Sequence, residues 1–142
     1  MPSQLQSPEV QAFATGFPVT LLHAGVTLVM LILGTTLYAL LTPHKEIALI
    51  REGNSAAALS LGGVMVGLAI PLAISLTAST SVIEIMIWGA ATIAVQLLVF
   101  RITDMILTGL PERIQDGEIS AATLLVGAKL ATALILAAAV AG

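Results

Sequence analysis

Cysteine is absent from this 142-residue chain. Disulfides, thiol nucleophiles and thiolate metal sites are therefore excluded, and the redox compartment leaves no mark. Charge is nearly absent too: 9% of residues are Asp, Glu, Lys or Arg, against about 25% in a soluble domain. Such a chain cannot cover its surface with polar groups, so lipid must be its solvent. A mean hydropathy of +1.06 agrees. The net charge of −3 is small and spread out, so no nucleic-acid partner is expected. The first residues, MPSQLQSPEVQAFATG, lack the basic region of a secretory signal. They read as a short polar tail over residues 1–16. No H-E-x-x-H, G-x-S-x-G, Walker or dinucleotide pattern is present. No enzyme activity, metal or cofactor is expected.

What the chain does have is long apolar runs. A membrane helix needs about 20 mostly apolar residues. Four runs qualify, at about 17–41, 55–77, 82–107 and 119–141. Each is continuous rather than alternating, which favours helices over barrel strands. The expected fold is all-α: one membrane domain over residues 17–142, with four transmembrane helices arranged as two repeated two-helix hairpins. The repeat rests on Gly53-x-x-Ala56-Ala57-Ala58 and Gly117-x-x-Ser120-Ala121-Ala122, offset by 64 residues.

Local signals mark the helix ends. Ser81-x-x-Glu84 reads as a capping box. Thr42-Pro43 reads as an N-cap followed by proline at the first position of a short helix. Ile47 and Ile50 would share a face of that helix, resting on the lipid surface. Gly53 ends it, and Asn54 can cap the second span. Pro111 and Gly117 bracket a similar short helix in the third loop.

Four of the thirteen charged residues, Lys45, Glu46, Arg51 and Glu52, crowd into the first loop. Arg113 lies in the third loop, and Arg101 lies toward the same end. The tail, the second loop and the C-terminus carry no Lys or Arg. Cytoplasmic loops retain basic residues, so both charged loops are expected in the cytoplasm and both termini outside. The ordinary role of these charges is to set orientation. The sharper expectation is a docking surface of His44, Lys45, Glu46, Arg51, Glu52 and Arg113 for a cytoplasmic protein partner or lipid headgroups.

Ionisable groups within spans are functional suspects. Arg101 and Asp104, three apart, share a helix face and can pair. Lys129 lies about ten residues into the fourth span, or roughly 15 Å at helical rise. Gln96 lies at a similar depth. A polar seam of Gln96, Arg101, Asp104 and Lys129 can be interhelical glue, with Lys129 paired to Asp104. Alternatively it lines a small oligomeric ion channel or transporter between spans three and four. Glue is the favoured reading. His23, alone in the first span, reads as a hydrogen-bonded packing residue. Gly63-x-x-x-Gly67 allows close backbone approach, and Pro71 loosens the second span. Small residues around several helices favour a homo-oligomer surrounded by membrane lipids.

Five stretches carry a family resemblance: Thr42-Pro43-His44-x-Glu46, Leu49-Ile50-x-x-Gly53-Asn54-x-Ala56-Ala57, Ile70-Pro71-Leu72, Trp88-Gly89 and Gln96-Leu97-Leu98-Val99-Phe100. Together they resemble the family called domain of unknown function 350, the YjfL-like proteins. The resemblance implies a small bacterial inner-membrane protein of four helices, with no known reaction. Members tend to occur beside phage-shock-type and polyamine-related proteins, which implies a role at the envelope. This chain departs from the family pattern at four positions. Asp104 stands where relatives commonly have a basic residue, and Arg101 appears one turn earlier. Lys129 replaces a small or neutral residue, and Leu136 an Asn.

Overall fold

The computed structural model describes residues 7–42 and 45–142. These form six helices: α1 (Pro8–Leu41), α2 (Glu46–Arg51), α3 (Ser55–Ala78), α4 (Val82–Ile106), α5 (Leu110–Gln115) and α6 (Ile119–Ala141). No strand occurs among the described residues. α1, α3, α4 and α6 are each long and apolar enough to cross a membrane.

The N-terminal boundary differs from the expectation of a polar tail ending at residue 16. The helix already starts at Pro8, with Ser7 as its cap and the Val10 amide donating to Ser7 Oγ. Proline in the first turn costs no hydrogen bond there. Phe13 and Phe17 stack one turn apart, at 4.9 Å between ring centres. At 34 residues α1 is about 51 Å long, so it outruns a hydrocarbon layer of about 30 Å.

α3 is the central helix, packed on all five others and most extensively on α6. Its contacts are close because its glycines are spent on them. A Cβ at Gly63 would lie 2.5 Å from a methyl of Val126, and one at Gly67 would lie 2.6 Å from Phe100 Cζ. The Gly63-x-x-x-Gly67 pair therefore seats α6 and α4 within one chain and is not left free for a second copy. Pro71 is buried on the same helix, which remains continuous through it. One apolar cluster joins α1, α3 and α4 through Tyr38, Val64, Leu68, Leu72, Ile93, Leu97 and Phe100. A second, rich in alanine, joins α3, α5 and α6.

The two short helices, α2 and α5, lie at the same end of the bundle. Each ends in a glycine with positive φ, +88° at Gly53 and +86° at Gly117, a conformation that penalises any Cβ. The same closing hydrogen bonds recur 64 residues apart. Gly53 N–H donates to Ile50 and Asn54 N–H to Leu49; Gly117 N–H donates to Ile114 and Glu118 N–H to Arg113. This pattern satisfies the last carbonyls of a helix. The side chains diverge. Asn54 caps α3 by accepting from the Ala57 amide, whereas Glu118 caps nothing and pairs with Arg113.

Three local expectations need correction. The proposed cap Thr42-Pro43 lies partly outside the described residues, and α2 begins at Glu46. Ile47 and Ile50 do not share one lipid-facing surface: Ile47 is exposed, while Ile50 packs with Leu49 against the alanine-rich cluster. At the start of α4, Ser81 Oγ accepts from the Glu84 amide, but the Glu84 carboxylate reaches one residue farther back, to the Thr80 amide at 2.7 Å.

Candidate functional site: a buried ionic cluster beneath the hairpins

Lys129 projects from α6 into the bundle and is fully buried. Its ammonium lies 2.9 Å from Asp104 Oδ1 on α4 and donates to the Tyr38 hydroxyl on α1 at 2.6 Å. Tyr38 donates in turn to Asp104 Oδ2, at 3.5 Å. The ring of Phe100 lies 5.4 Å from the ammonium, within cation–π range. Three helices thus meet on one cation. An unpaired ammonium inside a bundle is expensive; a paired, hydrogen-bonded one is tolerable.

Arg101 and Asp104 do not pair, although their spacing permits it. Asp104 is already engaged by Lys129, and Arg101 is half-exposed without an ion pair among the described residues. Gln96 does not join the cluster either. It lies two turns farther along α4, fully buried, with neither amide atom hydrogen-bonded. His23 is half-buried on α1.

Between this cluster and the hairpin end lies a cavity of about 180 Å³. Tyr38, Thr42, Glu46, Ser60, Arg101 and Asp104 are among the residues lining it. Glu46 was grouped by sequence with the exposed loop charges, and here the structure differs: it is 4% exposed. The reason is helical spacing. Glu46, Leu49 and Ile50 stand at i, i+3 and i+4, one face of α2, and that face packs against the bundle. Burial pushes the Glu46 carboxyl up to about 7; the Lys129 ammonium pulls it back, and Asp104 raises it.

Lys45, Arg51, Glu52 and Arg113 are exposed. His44 lies outside the described residues. Arg113 is engaged by Glu118, leaving Lys45 and Arg51 as the loop cations without an ion pair among the described residues. Asn54 ties the two hairpins together. Its side-chain amide donates to the carbonyls of Ile114 at 3.0 Å and Gln115 at 3.1 Å, at the end of α5.

Sequence reasoning missed Tyr38, Thr42 and Ser60 as members of this site. The available signal was thin: Tyr38 is the only tyrosine and shares a helix face with Thr42, four residues on. No group of acidic, His or Cys side chains suited to a metal exists among the described residues.

A bundle of four long apolar helices, with every Lys and Arg in its interior or at the hairpin end, defines a multi-pass helical membrane protein. Residues 12–140 match the model of the family described as Domain of Unknown Function (DUF350), and the chain belongs to that family. The chain is also similar to the "UPF0719 inner membrane protein YjfL" of Escherichia coli K12. The two are 33% identical over 107 residues, covering 75% of this chain and 80% of the relative. The protein of the same name from Escherichia coli O157:H7 gives the same figures. No solved structure matches.

Proposed function

We propose that this protein is a non-enzymatic scaffold of the bacterial inner membrane. Its two hairpins form one cytoplasmic face that engages a protein partner at the cell envelope. The observation that carries this reading is the Asn54 bridge, which makes a single surface of two separate loops. The inner-membrane assignment is taken over from the similar YjfL proteins. The orientation follows from charge: Lys45, Arg51, Arg101 and Arg113 all lie at the hairpin end, and cytoplasmic loops keep such residues. The duplicated loop geometry supports a doubled two-helix unit, with both hairpins on the same side.

The face presents Lys45 and Arg51 as cations without an ion pair among the described residues, while Glu46 belongs to its underside. The test is in-cell crosslinking and recovery of partners with Lys45→Gln/Arg51→Gln, in protein whose topology is shown to be unchanged. Partner recovery is expected to fall at least several-fold, and to fall similarly in Asn54→Ala, which unties the hairpins. Undiminished recovery in both removes docking through this face.

A second reading is a channel or transporter. The cavity leading from the hairpin end to Tyr38 and Asp104 favours it. Its walls come from α1, α2, α3 and α5 as well as α4 and α6, a wider set than spans three and four alone.

A further inference from the structure

Glu46 is the ionisable group that neither the packing of the bundle nor the docking face accounts for. It is more than nine-tenths buried, and its Oε2 has no hydrogen-bond partner. A carboxylate held that way is costly to ionise. Its position is singular as well. Glu46 lines the polar cavity on one side, and on the other an apolar groove of about 500 Å³ between α1 and α3, walled by Leu28, Leu31, Leu61 and Met65. The six-residue helix that carries it is the partition between the two.

Glu46 makes no ion pair among the described residues. From α6 comes Lys129 and from α4 Asp104, but these two are paired with each other. From α4 also comes Arg101, and from α5 Glu112, both lining the same cavity. From α1 comes Tyr38, already bonded to Lys129 and Asp104. α3 contributes the hydroxyl of Ser60, which hydrogen-bonds the Glu46 carboxyl and favours its charged form, though by less than burial opposes it. On its own segment Lys45 precedes it and is exposed; His44 lies outside the described residues. Arg101 and Glu112, one half-exposed and one exposed, are of opposite sign and cancel; among the described residues this leaves the Lys129 ammonium with two carboxyls, Asp104 and Glu46, and one proton makes the set neutral.

We propose that Glu46 is a proton-binding site that controls the seating of α2. With the proton bound, the neutral carboxyl lets α2 lie packed between groove and cavity. When the proton leaves to cavity water, the carboxylate seeks hydration and α2 lifts from α3, opening the cavity over the Lys129–Asp104 pair. The raised carboxyl range sets the sign: the seated form is complete well below pH 7 and is lost as pH rises through it.

The absence of cysteine gives a clean background for the test. Ser60, 2% exposed in the cavity wall, is replaced as Ser60→Cys in the full chain in lipid vesicles. Its rate with a soluble thiol reagent is divided by that of the exposed Ser55→Cys. Each rate is first corrected for the thiolate fraction from that cysteine's own measured pKa, because a helix N-terminus lowers a thiol pKa and burial raises it. The ratio is expected to rise by up to about tenfold between pH 6 and pH 8, following the ionised fraction of one acid titrating near 7. With Glu46→Gln, which mimics the protonated acid, the ratio should stay low at both pH values. With His44→Gln the rise should persist. Infrared difference spectra of the protein without any cysteine give the second measurement: a protonated carboxyl C=O band that disappears near pH 7 and is missing in Glu46→Gln. A flat ratio in the parent, a rise that survives Glu46→Gln, a rise lost in His44→Gln, or no titrating carboxyl band would each overturn the proposal.

Discussion

Lys129 shows how a single residue can be both a cost and a constraint. Its ammonium is matched by one carboxylate and one phenol from two other helices. Removing either charge strands the other in a low-dielectric interior, at about 3–5 kcal/mol. Removing both leaves only lost packing. Lys129→Met and Asp104→Asn are therefore expected each to lower stability by about that amount, and the double variant to recover most of it. Unfolding in mixed micelles, read by helix content, measures the cycle; additive losses would show that the pair is not coupled. This part of the site was legible in the sequence, because a charge placed mid-span demands a partner at reachable depth. Tyr38 was not, because a lone tyrosine near a span end reads as an interfacial aromatic. Glu46 was misread because exposure was inferred from its charged neighbours, while its own spacing to Leu49 and Ile50 assigns it to the buried face.

At the scale of elements, the long helices were evident from hydropathy alone, and their ends came from caps that the structure retains at Asn54 and Ser81. Which helices touch was not evident. Small apolar residues surround α3 and α6, so the pattern offers several equivalent faces. The choice is made by shape: Gly63 receives Val126, Gly67 receives Phe100, and Gly89 receives the end of Met30. These contacts differ in what they can forgive. Val126 is branched at Cβ and restricted in χ1, so Gly63→Ala must push α6 away, at about 1–3 kcal/mol. Met30 meets Gly89 with its terminal methyl and sulfur, and an unbranched thioether can swing aside. Gly89→Ala is expected to be close to neutral, because the helix propensity gained offsets the shift. Equal losses at the two sites, in the same unfolding measurement, would contradict this account of the α3–α6 seam.

For the whole molecule the question is whether the polar cavity continues to the other side. It opens from the hairpin end and stops at Tyr38 and Asp104, with Lys129 fully buried behind them. Beyond Lys129, the next inward positions on α6 are Ala133 and Ala137, both buried, and α3 presses close with Gly63, Gly67 and Pro71. Seam and cavity together reach only partway through the bundle. A proton can thus visit Glu46 from one face without a route to the opposite face. Proteoliposomes holding the folded protein are accordingly expected to show no flux of protons, monovalent cations or anions above that of empty vesicles. Lys129→Ala, which removes the ammonium behind the end of the cavity, should leave them equally tight, because the α3–α6 contact beyond it is unchanged. Flux in the parent protein that changes rate or selectivity in Lys129→Ala or Asp104→Ala would reverse the order of the two functional readings. The ionic cluster would then be a gate in a transport path and the hairpins its cytoplasmic vestibule.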